Sequence, residues 1–101
     1  MCEFKIIRKN NNSQIMEDVV MLYYNEDNEL VLKDVIGMGE TIESALILDV
    51  NTINQKCLIL ENPLIKDFVN LLVKLNDTTA TKSDMDIIIN QLEALKEEIP
   101  K

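Results

Sequence analysis

Several residue types are missing or scarce in this chain of 101 residues, and each absence removes a class of function. There is no histidine, so imidazole metal sites, Ser-His-Asp triads and Cys-His dyads are excluded. Only two glycines occur, and no glycine-rich phosphate loop can be built from them. Little is left with which to catalyse a reaction, so the sequence predicts a protein that is not an enzyme.

Basic charge is also in short supply. The chain has 10 Lys and Arg against 18 Asp and Glu, a net charge of −8, and no stretch forms a basic stripe. Tyr23 and Tyr24, half of the four aromatic residues, stand beside the acidic segment "NEDNE". Proteins that bind single strands combine exposed aromatic rings with Lys and Arg, and a negative surface repels phosphate. General nucleic-acid binding is therefore disfavoured.

Long hydrophobic runs are absent as well. No run approaches the roughly 18 apolar residues that a membrane span requires. The N-terminus lacks the basic and apolar regions of a secretory signal, which predicts a cytoplasmic protein with no membrane association. The hydrophobic content of 47% is nevertheless enough for a globular fold with one modest core.

The first 61 residues have the pattern of short strands separated by polar turns. The clusters "NNNS", "NEDNE" and "NTIN" predict turns, because Asn, Asp and Ser favour them. Between the turns we predict five strands: "CEFKIIRK", "QIMEDVVMLYY", "LVLKDVI", "TIESALILDVN" and "QKCLILE". Strands this short, at this spacing, favour a small closed barrel or sandwich over residues 1–61.

Two strand details follow from the pattern. The pair Glu17-Asp18 interrupts an apolar run, where a bend or bulge would fit. In "LVLKDVI", a period of two sets Leu30, Leu32 and Ile36 on one face. The next segment, "GMGE", holds both glycines of the chain, Gly37 and Gly39, and predicts a tight turn.

From residue 62 onward the period changes to that of helices. Asn62 and Pro63 are typical of an N-cap and a first helical position, and Ser83 precedes a second helix that runs to about Glu98. The apolar stripes are Leu64, Phe68, Leu71, Leu72 and Leu75 in the first helix and Met85, Ile88, Leu92, Leu95 and Ile99 in the second. Residues 62–101 are therefore predicted to form a C-terminal helical hairpin whose apolar faces need a partner.

The two cysteines differ in their surroundings. Cys57 lies in the apolar segment "KCLILE" and is expected to fill a core position, and no disulfide with Cys2 is expected in a reducing compartment. Cys2 adjoins the chain's own amino group. Its thiolate and the nearby nitrogens, with Met1 if that residue is retained, suit Ni(II) or Cu(II). A buried or incidental cysteine is the commoner reading of such a residue, and the residues alone leave both open.

Three acidic residues, Glu17, Asp18 and Asp34, lie close to strand bends. Paired carboxylates can act as acid and base or bind a hard cation. No other catalytic residue type accompanies them, however, and Asp commonly marks turns. A structural role in the turns is the favoured interpretation.

The segments "MCEFKII", "MEDVV" and "LKDVIG", in this order, resemble a family of small proteins described as CooT-type nickel-binding proteins, which are also labelled predicted RNA-binding proteins. The resemblance covers about residues 1–61. It implies an antiparallel SH3-like or Sm-like barrel that forms a homodimer. It also implies that Cys2 of the two subunits shares one Ni(II), with Met1 as a possible co-ligand, in nickel delivery to a carbon monoxide dehydrogenase. The helical hairpin after Glu61 departs from this pattern.

Two alternatives to a metal-binding accessory role remain at this point. One is an RNA-binding barrel, which the family's second label suggests and the negative charge opposes. The other is a protein-interaction module whose helical hairpin binds a partner.

Overall fold

The computed structural model describes residues 3–101 and is mainly built of strands, followed by two helices. The strands are β1 (Phe4–Arg8), β2 (Ser13–Val19), β3 (Met21–Tyr24), β4 (Leu30–Lys33), β5 (Gly39–Ile42), β6 (Ala45–Asn51) and β7 (Lys56–Glu61). They form a four-stranded sheet in the order β2-β1-β7-β6 and a three-stranded sheet in the order β3-β4-β5. The prediction of a mainly β protein with a C-terminal pair of helices is confirmed.

The two sheets are not joined into a closed barrel by any strand pairing that the structure describes within residues 3–101. The chain passes from one sheet to the other at Val20, whose N–H donates to the carbonyl of Lys33 at 2.9 Å. β1 and β7 pair in parallel, so the prediction of antiparallel strands is wrong for this pair. These strands come from opposite ends of the sheet-forming segment, and no hairpin turn obliges them to run in opposite directions.

The expected irregularity at Glu17-Asp18 is confirmed as a β-bulge. Phe4 pairs with Val19 and Ile6 with Met16, so three steps along β2 lie opposite two steps along β1. Asp18 adopts a φ of 59°, in the left-handed region that bulges often use. The bulge lies just before the chain leaves for the second sheet, and β2 pairs with β1 once more at Val19.

Seven strands occur where five were predicted, because two long runs are interrupted. The run "QIMEDVVMLYY" divides at Val20, and "TIESALILDVN" divides at Glu43 and Ser44. Ser44 has a role that its strand pattern does not reveal. Its hydroxyl accepts a hydrogen bond from the N–H of Lys66 at 2.9 Å and donates to the carbonyl of Asn62. The interruption thus connects the sheet to the start of the first helix.

The strand "LVLKDVI" is shorter than predicted. β4 ends at Lys33, and a turn follows in which the Asp34 carboxylate accepts hydrogen bonds from the N–H groups of Ile36 and Met38, each at 3.0 Å. Leu30 and Leu32 are fully buried, but Ile36 is 78% exposed, so the prediction that these three residues share one face is wrong. The carboxylate at position 34 ended the strand before the alternation reached Ile36.

The two glycines in and after this turn serve different purposes. Gly37 has a φ of 87°, which favours glycine. At Gly39 a β-carbon would lie 1.7 Å from the carbonyl oxygen of Leu32, so only glycine allows β5 to approach β4 this closely. The turn itself begins at Asp34, earlier than the predicted "GMGE".

One hydrophobic core lies between the two sheets. The four-stranded sheet and the residues at its ends contribute most of it, and the three-stranded sheet contributes two leucines. Its fully buried members are Ile6, Val19, Leu30, Leu32, Ala45, Cys57 and Ile59. In β7 the core residues Cys57 and Ile59 alternate with less buried neighbours, as the two-residue period of a strand requires. In β4 the three consecutive residues Leu30, Val31 and Leu32 are all buried.

The helices are α1 (Pro63–Asn76) and α2 (Lys82–Glu98). The predicted start of α1 is confirmed, since the Asn62 side chain accepts a hydrogen bond from the N–H of Leu64 at 2.9 Å. The start of α2 lies slightly before the predicted Ser83, because Thr81 is the N-cap. Thr81 and Asp84 exchange side-chain-to-backbone hydrogen bonds in a capping box.

Residue contacts divide the chain into two compact units, the first ending at Lys66 and the second comprising Asp67–Lys101. We call them the β unit and the helical unit. The division falls inside α1, and the proposed domain boundary between residues 61 and 62 stays a prediction. Within residues 3–101, neither helix is both long and apolar enough to cross a membrane.

Candidate metal centre

The predicted metal ligands, Met1 and Cys2, lie outside the residues that the structure describes. The chain that leads to them is held from both sides, because β1 lies between β2 and β7 in its sheet. Close to that end, Phe4 pairs with Val19, and the N–H of Lys5 donates to the carbonyl of Gln55 at 2.9 Å. Residue 3 therefore emerges from a fixed position at one end of the four-stranded sheet.

A shallow, polar depression lies at this end of the sheet. It is lined by the exposed side chains Glu3, Lys5, Asp18, Asn54 and Gln55. The bulge in β2 and the turn before β7 build its walls, and both turns use residues with positive φ, Asp18 and Gln55. Glu3, the residue that follows Cys2, therefore shares this depression with one further carboxylate, Asp18, and one ammonium group, Lys5.

The described part of the chain does not supply a metal site by itself. Within residues 3–101, no group of three or more Cys, Asp or Glu side chains is arranged to hold an ion. Glu3 and Asp18 offer carboxylate oxygens, which suit hard cations better than nickel. A site for a soft or borderline metal at this end of the sheet would therefore need the sulfur and nitrogen donors of residues 1 and 2.

The second thiol, Cys57, has the structural role that was predicted for it. It is completely buried in the core of the β unit. Burial raises the pKa of its thiol above the ordinary 9.0, and the nearby charge of Asp49 raises it further. A buried, protonated thiol is a poor metal ligand and nucleophile, so Cys57 acts as a small core residue.

Two of the three carboxylates near strand bends have identifiable places in the local structure. Asp34 holds the turn after β4, and Asp18 occupies the bulged position in β2. Glu17 is exposed within the same bulge. The favoured interpretation of these residues as turn formers is confirmed for Asp34 by its hydrogen bonds, while Asp18 also borders the depression described above.

Two of the three aromatic residues of the β unit have packing or hydrogen-bonding roles. Phe4 packs against the core, as expected. Tyr24 donates a hydrogen bond from its hydroxyl to the carbonyl of Ala45 at 2.8 Å, which ties the two sheets together. Burial raises the pKa of that hydroxyl. Tyr23 is partly exposed, with Lys33 5.8 Å from its ring centre, but the acidic "NEDNE" turn follows immediately.

One polar cluster escaped the sequence analysis. The Arg8 guanidinium donates to Glu61 at 2.9 Å and to the hydroxyl of Ser13 at 3.0 Å, and the Asn10 side chain forms two hydrogen bonds with the backbone of Glu61. This cluster joins the turn after β1 to the end of β7. Its partners are separated by about fifty positions in sequence, and no local pattern signals such a pairing.

An exposed apolar turn was also missed. Val35, Ile36 and Met38 are 71%, 78% and 65% exposed, all within the turn that Asp34 organises. The segment "LKDVIG", which carried part of the family resemblance, is the one that builds this turn. A signal was present, since an Asp followed three residues later by Gly is typical of turns rather than of a continuing strand.

Fold and site together define a small protein of two packed sheets with a two-helix extension. A comparison with protein families then places it: the chain belongs to the family described as CO dehydrogenase accessory protein CooT, whose profile matches residues 1–60. The match ends one residue before β7 does, so both helices lie outside it. A search of curated proteins finds no match to the chain.

Proposed function

We propose that this protein is a non-enzymatic accessory protein that binds a nickel-like divalent ion through Cys2 of two subunits, for delivery to a carbon monoxide dehydrogenase. Membership of the CooT family over residues 1–60, the segment that contains Cys2, is the observation that carries the proposal. The burial of Cys57 supports it, because Cys2 is the other cysteine of a chain that has two.

The proposed ligands are the sulfur of Cys2 and the nitrogen donors beside it. If Met1 is retained, its amine, the Cys2 amide nitrogen and the Cys2 sulfur can form two fused five-membered chelate rings. If Met1 is removed, the Cys2 amine and thiolate form one ring. Planar nitrogen and sulfur donors favour Ni(II) and Cu(II), whereas thiolate softness disfavours Mg²⁺ and Ca²⁺.

A homodimer completes the donor set in this proposal. One chain offers too few donors for a closed site, whereas two chains that meet at a two-fold axis provide paired sulfurs and nitrogens. The anchored position of β1 supports such a site, because both neighbouring strands hold the segment that follows the proposed ligands. Release to a client requires access, and the neighbouring residues Glu3 and Asp18 are exposed.

The fold and compartment complete the proposal. The chain turns directly from β2 into β3 at Val20, and the two sheets share one core, which is compatible with a small SH3-like or Sm-like barrel with a sharply bent strand. We include that barrel, and a cytoplasmic location, in the proposal. RNA binding is left out of it, because the net charge of −8 opposes contact with phosphates.

The first prediction concerns nickel binding itself. Titration calorimetry of Ni(II) into the metal-free protein is expected to give one ion per two chains. Cys2→Ser is expected to lose at least about a hundredfold in affinity, because it removes the thiolate donors of both subunits. Cys57→Ala is the matched control: it also removes a thiol, and it is expected to retain the wild-type affinity.

Two outcomes would contradict this prediction. One is equal Ni(II) affinity for the wild type and Cys2→Ser. The other is a stoichiometry of one ion per chain that does not change on dilution, which would exclude a site shared between subunits. Affinity is expected to fall as the pH drops below about 8, since the amine and thiol must lose their protons to bind the ion.

A further inference from the structure

The helical unit leaves most of its large apolar side chains in contact with solvent. Leu71 and Ile88 are buried, at 5% and 6% exposure. Many others are between about two-fifths and two-thirds exposed: Phe68, Leu72, Val73, Leu75, Met85, Ile87, Ile89, Leu92 and Ile99. An amphipathic helix normally covers its apolar face, so this unit has an unusually large uncovered surface.

Two polar contacts and the two buried residues identify the faces by which α1 and α2 meet. The side-chain amide of Gln91 donates to the carboxylate of Asp67, and Lys74 pairs with Asp84 at 3.1 Å. The start of α1 thus meets the middle of α2, and the end of α1 meets the start of α2, so the helices are antiparallel. The meeting faces are Asp67, Leu71 and Lys74 on α1 and Asp84, Ile88 and Gln91 on α2.

An exposed apolar stripe lies beside each meeting face, shifted by one residue along the chain. On α1 it comprises Phe68, Leu72 and Leu75, which are 46%, 47% and 50% exposed. On α2 it comprises Met85, Ile89 and Leu92, which are 42%, 44% and 50% exposed. All four sets of three share the spacing i, i+4, i+7, which keeps each set on one side of its helix.

The two stripes lie on the same side of the hairpin. Each residue of an α-helix is rotated by about 100° about the helix axis from the residue before it. Viewed along its own chain direction, each stripe is therefore rotated from its meeting face by this angle, and in the same sense in both helices. Because the two helices run in opposite directions, these rotations carry both stripes to one common side rather than to opposite sides. We call this combined surface of six residues, Phe68, Leu72, Leu75, Met85, Ile89 and Leu92, the apolar strip.

The size of the apolar strip matches a dimer interface. Its six residues expose roughly 500 Å² per copy, close to the apolar share of the about 800 Å² that each partner contributes to a standard interface. A two-helix unit of 35 residues is also below the length of about 40 residues at which chains usually fold without added support. Two such hairpins joined through their strips have the layout of a four-helix bundle.

Charges around the strip suit a second copy of the same surface. On α2, Lys82 and Lys96 extend the strip at its two ends, at the same helical spacing. Asp86 and Glu93 follow Met85 and Leu92 and so border it. When two α2 helices cross about a two-fold axis, lysines of one copy can face carboxylates of the other. A partner with charges of only one sign would leave either the lysines or the carboxylates of this border unpaired.

We propose that the helical unit is a self-association element, in which the apolar strips of two chains pack together as a four-helix bundle. This interface is separate from the shared nickel site and does not depend on metal. It lies in the part of the chain beyond the family match, which ends at residue 60. The helices would therefore give this chain a means of dimerising that the matched segment does not include.

The test uses the full chain with the Cys2→Ser substitution and a chelator, so that no metal-linked dimer contributes. Sedimentation equilibrium is expected to find a dimer of twice the 11.6 kDa chain mass. Leu72→Glu and Leu92→Glu are each expected to weaken the dimer at least about tenfold, because each places a charge within the strip. Val73→Glu and Ile87→Glu are the matched controls, since both residues are similarly exposed but lie off the strip.

The proposal is overturned by a monomeric chain at about 100 μM, or by strip and control variants of equal dimer affinity. The first result would mean that the strip is covered by the same chain or by a different protein. Loss of metal-dependent dimerisation alone would count against the shared nickel site and not against this interface. Persistence of the dimer in Cys2→Ser, with its loss in Leu92→Glu, supports the strip.

A second measurement covers the case in which a strip variant fails to fold. The thermal midpoint of the helical unit in the Cys2→Ser chain, followed by circular dichroism, is expected to rise with protein concentration over a hundredfold range. Coupling of folding to association requires such a shift. A midpoint independent of concentration overturns the proposal without any strip variant.

Discussion

The β unit and the helical unit bury their apolar residues to very different extents. In the β unit, seven residues form a cluster with at most 1% exposure. In the helical unit, Leu71 and Ile88 are 5% and 6% exposed, while the neighbouring leucines and isoleucines remain about half exposed. Both segments are rich in large aliphatic residues, so composition does not explain the difference.

Geometry explains it instead. Two sheets packed face to face enclose a layer of side chains between them, so the residues of that layer have neighbours on both sides. Two antiparallel helices cover only the narrow faces along which they touch, and a stripe shifted by one residue is left in solvent. A segment can therefore have a strong amphipathic pattern and still lack, within its own unit, the surface that the pattern requires.

Separating the two units is expected to have the largest effect. A chain ending at Lys66 keeps all seven core residues and the ion pair between Lys66 and Glu29, and is expected to unfold cooperatively. A peptide of residues 67–101 is expected to lose most of its helix at low micromolar concentration, since isolated short helices are marginal in water. Circular dichroism of both fragments measures this. Aggregation of the chain that ends at Lys66 would contradict the expectation that the β unit folds without the helical unit.

Matched leucine truncations measure the same contrast in energy. Leu32→Ala, at a residue with no exposure, is expected to lower the free energy of unfolding by about 3 kcal/mol, because it leaves a cavity between the sheets. Leu75→Ala, at 50% exposure, is expected to cost less than about 1 kcal/mol in the monomer. Urea denaturation at a protein concentration low enough to keep the chain monomeric measures both. Equal losses would mean that the helical unit is packed as tightly as the sheets.

The capping box allows α2 to be weakened without touching an apolar contact. Thr81→Ala removes the hydroxyl that accepts the N–H of Asp84 at 3.2 Å, and is expected to cost the helical unit about 1 kcal/mol. Ser83→Ala, two residues further along, serves as the control, with a change within about 0.5 kcal/mol. Hydrogen exchange measures the protection of backbone amides in each unit separately. Loss of protection in the β unit as well would reveal one cooperative structure.

The smallest expected effect is a difference in pH dependence. Burial raises the pKa of Cys57 above 9.0 and that of Tyr24 above 10.0, so each neutral form is favoured in the folded β unit. The stability that the neutral thiol and the neutral hydroxyl contribute is complete below pH 9.0 and pH 10.0, respectively. It declines as the pH rises from these values towards the raised pKa values of the folded protein. In the helical unit, hydrogen bonds from Thr81 and Lys74 hold the pKa of Asp84 below 3.8. The contribution of the ionised Asp84 to the stability of the helical unit is complete above pH 3.8 and is lost as the pH falls towards the lowered pKa.

Denaturation at several pH values measures these changes. Between pH 8 and about 10 the β unit is expected to lose stability while the contribution of Asp84 stays constant. Cys57→Ala is expected to remove the part of the alkaline loss that begins near pH 9.0, the ordinary value for the thiol. An alkaline loss of the same size in Cys57→Ala would mean that the thiol is not the group responsible.

Local features were predictable because a few adjacent residues decide them. The turn at "NTIN" forms because the Asn51 side chain accepts hydrogen bonds from the N–H groups of Ile53 and Asn54. The cap at Asn62 has the same local origin. Even the bulge was foreseeable, since charged residues at positions 17 and 18 cannot occupy the core side of a strand.

The candidate site was predictable only in part. The second-position cysteine was visible as a potential ligand, and the burial of Cys57 followed from its apolar neighbours. The depression formed by Glu3, Asp18 and Gln55 was not visible, because it brings together three segments from opposite ends of the β unit. The same reason hid the contacts of Arg8 with Glu61.

By itself, the sequence determined the kinds of element, their order and most of their ends, because backbone preference, capping and turn formation act between near neighbours. The absence of histidine also determined which site chemistries this protein lacks. Tertiary structure alone decided that β1 pairs in parallel with β7, and that Leu71 is buried while Leu72 is not. These outcomes depend on surfaces that meet only after the chain has folded, and no local pattern contains them.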